Sequence, residues 1–271
     1  MSNSPLVSYT KLSPNYSVRN HAIDSVAIHC VVGQVTVESL GATFASKERN
    51  ASSNYGIGRD GRIAMFVEEK NRSFCTGGKD QNGNPIRVNG ISGKDVDHRA
   101  ITIEVASDTT DPYAVNDKAY ASLINLLVDI CKRNNIKELK WEANKALVGN
   151  INRQNMFVHR WFAYKACPGD YLFNRHGDIA AKVNARLQNG SSAVETKPAS
   201  TTTSKEFAVK VGISNLNIRK GPGTNYAPVG KYTGTGVFTI IATSNGKGSK
   251  KGWGKLKSGL GWISLDFATR I

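Results

Sequence analysis

The chain has 271 residues, enough for one large domain or a medium one with a small one, and none of its apolar runs nears the roughly 18 residues that span a bilayer. Four cysteines, at positions 30, 75, 131 and 167, are too few for a disulfide framework in so long a chain, which leaves them as hydrophobes or metal ligands. A net charge of +15 favours polyanionic surroundings, and residues 207–271 concentrate it, with eight Lys and two Arg against one acid, Asp266.

The opening MSNSPLVSYTKLSPNYSVRN lacks a basic start followed by an apolar block, so no secretory signal is expected. Asp24 to Val32 (DSVAIHCVV) predicts a buried strand with Val26, Ile28, Cys30 and Val32 on one face and Ala27, His29 and Val31 on the other. His29 is the polar exception in that run, and Cys30, on the core face, is expected to do no chemistry. Val37, Leu40 and Phe44 predict a helix over 36–49. SSNYGIGRDGRIAMFVEE predicts a β-hairpin about Arg59-Asp60-Gly61, with Tyr55 opening its first strand. Residues 76–99, rich in Gly, Asn, Asp and Lys, read as a surface loop.

A second buried strand, Ala100 to Ala106, holds one carboxylate, Glu104. The apolar stripe of Ala119, Leu123, Leu126, Leu127 and Ile130 predicts a helix over 116–134, with Asn116 or Asp117 as its N-cap. After a Cys167-Pro168-Gly169 turn, a last helix should run to about Leu187. Residues 188–206 have almost no large apolar side chain and read as a linker between a domain of 1–187 and one of 207–271. The short alternating runs of the latter, broken by Gly and Asn, predict a small all-β barrel.

Zinc favours His and Cys in a tetrahedral set, and catalytic sites use three protein ligands. His29, His159 and Cys167 supply such a set or are separate core residues; their spacing alone does not choose. Glu104, buried in a strand, is either functional or paired with an arginine such as Arg99 or Arg160. Lys165 either faces a site beside Cys167 or is solvated, and Tyr55 is either a site residue or packing with a wet hydroxyl.

Taken together, AIHC with His29, SSNYGIGRDGRI with Tyr55, ITIEVA with Glu104 and VHRWFAYKACPGDYL with His159, Lys165 and Cys167 resemble the zinc-dependent N-acetylmuramoyl-L-alanine amidases of the amidase-2 type. That family includes phage lysozyme-like enzymes and peptidoglycan-recognition proteins. The resemblance covers roughly residues 20–187 and implies an α/β fold, a central mixed β-sheet flanked by helices. It also implies Zn2+ held by His29, His159 and Cys167, Glu104 as acid/base, and Tyr55 and Lys165 as helpers around an oxyanion. One departure stands out: where relatives read Trp-His before Ala-Gly, this chain has Phe74-Cys75-Thr76-Gly77, so a substrate-contacting histidine is missing or supplied by another, such as His98.

The tail, with LNIRKGPGTNY and GWISL, resembles bacterial SH3-type wall-binding modules, with Tyr226, Trp253 and Trp262 as candidate contacts or packing residues. The expected partners are therefore bacterial peptidoglycan as substrate and a Gram-positive wall ligand for the tail, with no nucleic acid and no membrane insertion. A wall hydrolase made in the bacterial cytoplasm without a signal acts on the wall after release, as a phage endolysin does. Rival readings are a non-catalytic wall-binding protein and a wall endopeptidase.

Overall fold

The computed structural model describes residues 2–189, 206–219, 221–224, 226 and 228–271. The chain divides into two compact units, Met1–Ala193 and Val194–Ile271. Residues 190–205, most of the expected linker, lie outside the described residues. No helix among the described residues is long and apolar enough to cross a membrane.

The first unit contains β1 (Tyr9–Thr10), β2 (Tyr16–Val18), β3 (Ser25–Cys30), α1 (Val37–Thr43), β4 (Tyr55–Ile57), β5 (Ile63–Met65) and β6 (Asn71–Ser73). It continues with β7 (Arg87–Val88), β8 (Ile91–Ser92), α2 (Gly93–Arg99), β9 (Ala100–Val105), α3 (Asp117–Arg133), β10 (Met156–Phe157), α4 (Gly169–Phe173) and α5 (His176–Asn189). Its central sheet runs β1-β5-β4-β9-β3-β10, parallel throughout except for the β4–β5 hairpin, so it is mixed as expected.

Burial on both faces explains the near-continuous apolar sequences of β3 and β9. Val26, Ile28 and Cys30 pack with Ile101, Ile103 and Val105 against the stripe of α3, while Ala27 on the other face packs with Val158, Trp161 and Phe162. The α3 helix starts one residue after Asn116, whose side chain accepts the Ala119 N–H. The hairpin closes through the three-residue loop Arg59-Asp60-Gly61, in which Gly61 at φ +86°, and not Asp60, takes the left-handed position.

Three expectations change. The helix over 36–49 stops at Thr43, and a separate 3-10 turn, Lys47–Arg49, begins after Ser46. Tertiary bonds divert the chain: Ser13 Oγ donates to the Phe44 carbonyl at 2.6 Å and Asn15 Nδ2 to that of Ser46 at 2.7 Å. The surface loop of 76–99 contains the β7–β8 hairpin and α2, which opens with a Ser92/Asp95 capping box. The final helix is broken into α4 and α5, and α5 reaches Asn189 rather than ending near Leu187.

The second unit is all-β: β11 (Phe207–Val211), β12 (Asn217–Arg219), β13 (Pro228–Tyr232), β14 (Gly236–Ser244), β15 (Trp253–Leu256), β16 (Trp262–Ser264) and β17 (Ala268–Arg270). They form one antiparallel sheet, ordered β13-β12-β16-β15-β14-β11-β17. Val209, Val211, Ile218, Ile240, Leu256, Ile263 and Ala268, from six of these strands, share one core, so the sheet curls around its own inner face.

Candidate active site

Three adjacent parallel strands deliver polar residues to the same, carboxyl-terminal end of the first unit's sheet. His29 is the penultimate residue of β3 and Glu104 that of β9, and the two are direct cross-strand partners. His159 follows two residues after β10, which runs parallel to β3 on its other side. The carboxyl ends of parallel strands are where open α/β sheets present their ligand crevices.

Cys167 comes from the loop between His159 and α4. Arg160 fixes that loop: its N–H donates to the Cys167 carbonyl at 2.9 Å, and its guanidinium bonds the Ala166 carbonyl and pairs with Asp170 at 2.9 Å. Gly169 allows the return, because its φ is +78° and a Cβ there would meet the Pro112 carbonyl at 2.9 Å. As a result Cys167 Sγ lies 3.4 Å from His29 Nδ1, and one donor atom from each of His29, His159 and Cys167 falls within 4.8 Å of the others.

These donors suit zinc, two imidazole nitrogens and one thiol sulfur. Burial and the neighbouring histidine push His29 well below its ordinary pKa, and burial lowers His159 to about 4, so both rings are neutral with lone pairs available. His159 Nε2 is buried with no hydrogen-bond partner among the described residues. Burial raises the Cys167 thiol, and a cation at the site would reverse that shift.

Glu104 lines the same groove, about 480 Å³ in volume, and its Oε2 is likewise buried and unpartnered among the described residues. Burial first, then the neighbouring Cys30, lifts its carboxyl to about 8. Neither arginine considered as its partner reaches it. Arg99 pairs with Asp24 at 2.5 Å, and Arg160 is held by Asp170. Lys165 stands exposed on the groove wall and contributes positive potential at His29, His159 and Glu104.

Two expected site residues are elsewhere. Tyr55 is fully buried, and its hydroxyl donates to Glu69 Oε1 at 2.6 Å and accepts the Ser4 N–H at 2.9 Å. Glu69 in turn is gripped by Arg133 at 2.5 Å, so Tyr55 belongs to a buried ionic network and does not line the groove. Strand parity explains this: in β4, Tyr55 faces the same core as Ile103 and Leu127. His98 lies on α2, where it accepts the Asn20 N–H, and also misses the groove.

Three groove residues escaped sequence reasoning. Cys75 puts its sulfur 3.8 Å from Glu104 Oε1. Its backbone is clamped by Asp97 of α2, whose carboxylate accepts the Cys75 and Thr76 N–H groups at 2.9 and 3.0 Å. Arg49 reaches the groove from the 3-10 turn after α1. Cys30, expected to be inert, is in the core yet places its thiol against that of Cys167. The Ser-x-x-Asp capping signal at Ser92 was available for α2; nothing local marked the other two.

The family described as N-acetylmuramoyl-L-alanine amidase, of the amidase-2 type, matches residues 19–170, more than half of the chain. No curated protein matches. Among solved structures, AmpD is 19% identical over 65% of this chain and 96% of its own, with a TM-score of 0.45. An endolysin N-acetylmuramoyl-L-alanine amidase from Clostridium intestinale is 18% identical, covering 68% and 99% of the two chains, with a TM-score of 0.41. A Drosophila peptidoglycan-recognition protein, PGRP-LB, in complex with tracheal cytotoxin is 16% identical over 60% of this chain and 85% of that one, with a TM-score of 0.40.

Proposed function

Because the chain belongs to the N-acetylmuramoyl-L-alanine amidase family, we propose that it hydrolyses the amide between the lactyl group of N-acetylmuramic acid and the L-alanine of the stem peptide. The observation that carries this reading is the convergence of His29, His159, Cys167 and Glu104 at the carboxyl ends of neighbouring strands, with His159, Cys167 and Glu104 lining one groove and His29 buried beside them. His29, His159 and Cys167 would hold a zinc ion, which when bound supplies Lewis-acid polarisation of the scissile carbonyl and acidifies water.

The chain's own residues do the rest. Glu104 takes a proton from the attacking water and passes it to the departing alanine nitrogen, so that the C–N bond breaks to leave a lactyl carboxylate and a free amine. A carboxyl lifted to about 8 by burial suits both halves of that transfer near neutrality. Lys165 presents a cation to the carbonyl oxygen as it gains charge. The apolar groove wall, which includes Leu40 and Phe44, excludes water around the peptide.

The second unit acts as an SH3-type wall-binding module that holds the enzyme near a substrate presented many times over. The chain would be made in the cytoplasm and act on the wall after release, as in a phage endolysin. The test is mass spectrometry of Gram-positive peptidoglycan digested by the protein, with and without a chelator followed by zinc restoration. Stem peptides with a free L-alanine amine, lost on chelation and regained with zinc, are expected. Cuts within the peptide or between sugars, or no release at all, would overturn the reading.

A further inference from the structure

The second unit contains an open groove of about 640 Å³, larger than that of the first, formed along β11, the end of β14, the loop before β15 and β17. Its floor is apolar, with Phe207, Val209 and Leu265, and two cations, Lys251 and Arg270, stand on its lining. Arg270 sits on the edge strand of the sheet, with its guanidinium carbon 4.1 Å above the Phe207 ring. That contact orients the guanidinium and leaves its N–H groups free of any ion pair among the described residues.

Glu206, next to Phe207, is paired with Lys257 at 2.6 Å and does not line the groove, so the charges on its lining are of one sign. Asp266, the one acid within 207–271, spends its carboxylate on the loop itself, accepting the backbone N–H groups of Lys250 and Lys251 at 2.9 and 2.7 Å. It pins the loop that carries Lys251 and does not itself line the groove. Lys210, Lys231, Lys247 and Lys255 are exposed elsewhere on the unit. A single small anion would satisfy the groove and leave these charges unused, whereas a chain of repeating anions engages both.

We propose that this groove binds a polymer of polyol units joined by phosphodiesters, with phosphates on Lys251 and Arg270 and the carbon backbone on Phe207 and Leu265. This deepens the reading of the chain as a wall enzyme and rests on it. The hydroxyl of Thr269 and the amide of Asn245 complete the lining with groups that suit polyol hydroxyls. A nucleic acid fits less well, because single-stranded bases need open aromatic faces and the Phe207 face is already covered by Arg270. A neutral peptide would leave both cations without partners.

The test is calorimetric titration of the full chain with lipid-free 1,3-polyglycerol phosphate. A Lys251→Glu/Arg270→Glu variant should lose at least tenfold in affinity, and the milder Lys251→Gln/Arg270→Gln several-fold. A Lys210→Glu/Lys255→Glu variant, with the same change in net charge outside the groove, should lose less than threefold. Equal losses in both charge-reversed variants would mean diffuse attraction and would overturn the site, as would no loss in any variant. An oligodeoxynucleotide that competes at equal phosphate concentration would reassign the groove to nucleic acid. Cleavage of a soluble muropeptide, measured on the same variants, separates the two readings: cleavage without polymer binding sinks this inference alone.

Discussion

Replacing Tyr55 by Phe separates the structure's account of this residue from the one its sequence motif implies. The phenol donates to Glu69 Oε1 at 2.6 Å and accepts the Ser4 N–H at 2.9 Å, at a fully buried site. Glu69 keeps Arg133 and Asn134 after the change, so the carboxylate is not stranded, but the N–H of the buried Ser4 loses its acceptor. A charge-assisted bond at the low end and a stranded buried donor together cost about 3 kcal/mol. For a unit of this size that is a fall of roughly 6–12 °C in Tm. Burial and the Glu69 charge both raise the phenol's pKa, so it remains protonated at any working pH. Calorimetry should find the drop, while kcat on a soluble muropeptide, assayed well below the new Tm, stays within twofold. A hundredfold loss of kcat at unchanged Tm would refute the placement and return Tyr55 to the reacting centre.

Glu104→Gln should retain zinc, as read by atomic absorption, and lose roughly 10²–10⁴-fold in turnover, the range for a lost general acid/base; full activity would remove Glu104 from the chemistry. In the metal-free protein burial lifts this carboxyl to about 8, so its titration, followed by infrared difference spectra against Glu104→Gln, should show a midpoint above the ordinary 4.5; a midpoint at 4.5 would mean a solvated carboxylate. Cys75→Ala removes the sulfur 3.8 Å from Glu104 and should lower kcat with zinc content unchanged, by less than Glu104→Gln does; equal losses would make the sulfur indispensable. Chelation should lower Tm, because an ion present at a thousand times its Kd stabilises the fold by about 4 kcal/mol; a scan unmoved by chelator would argue against bound metal.

The parts of this molecule that follow from period and capping were legible in the sequence. The stripe from Ala119 to Ile130, the two apolar strands and the hairpin about Arg59-Asp60-Gly61 each carry their signal within one segment, and each formed as expected. The histidine and carboxylate inside those strands were conspicuous because a polar group amid apolar neighbours needs a reason. What failed depended on distant atoms. The helix after Thr36 is cut short by Ser13 and Asn15. Tyr55 points away from the groove because of strand parity, which motif matching ignores. Arg49, Cys30 and Cys75 reach the site only through the packing of separate elements, and α2 was hidden by a segment rich in loop-forming residues.

His29 and Cys167 are 138 residues apart in the chain and 3.4 Å apart in space. An ion gripping both would act as a removable cross-link around half the polypeptide, and the chain-entropy treatment of cross-links gives such a closure about 5 kcal/mol. The order of synthesis matters too. A nascent chain carries His29 early but has no Cys167 to close against until nearly all of the first unit has left the ribosome. The set of His29, His159 and Cys167 is thus completed late, with only α4 and α5 still to come, and fragments that end before Cys167 lack it altogether.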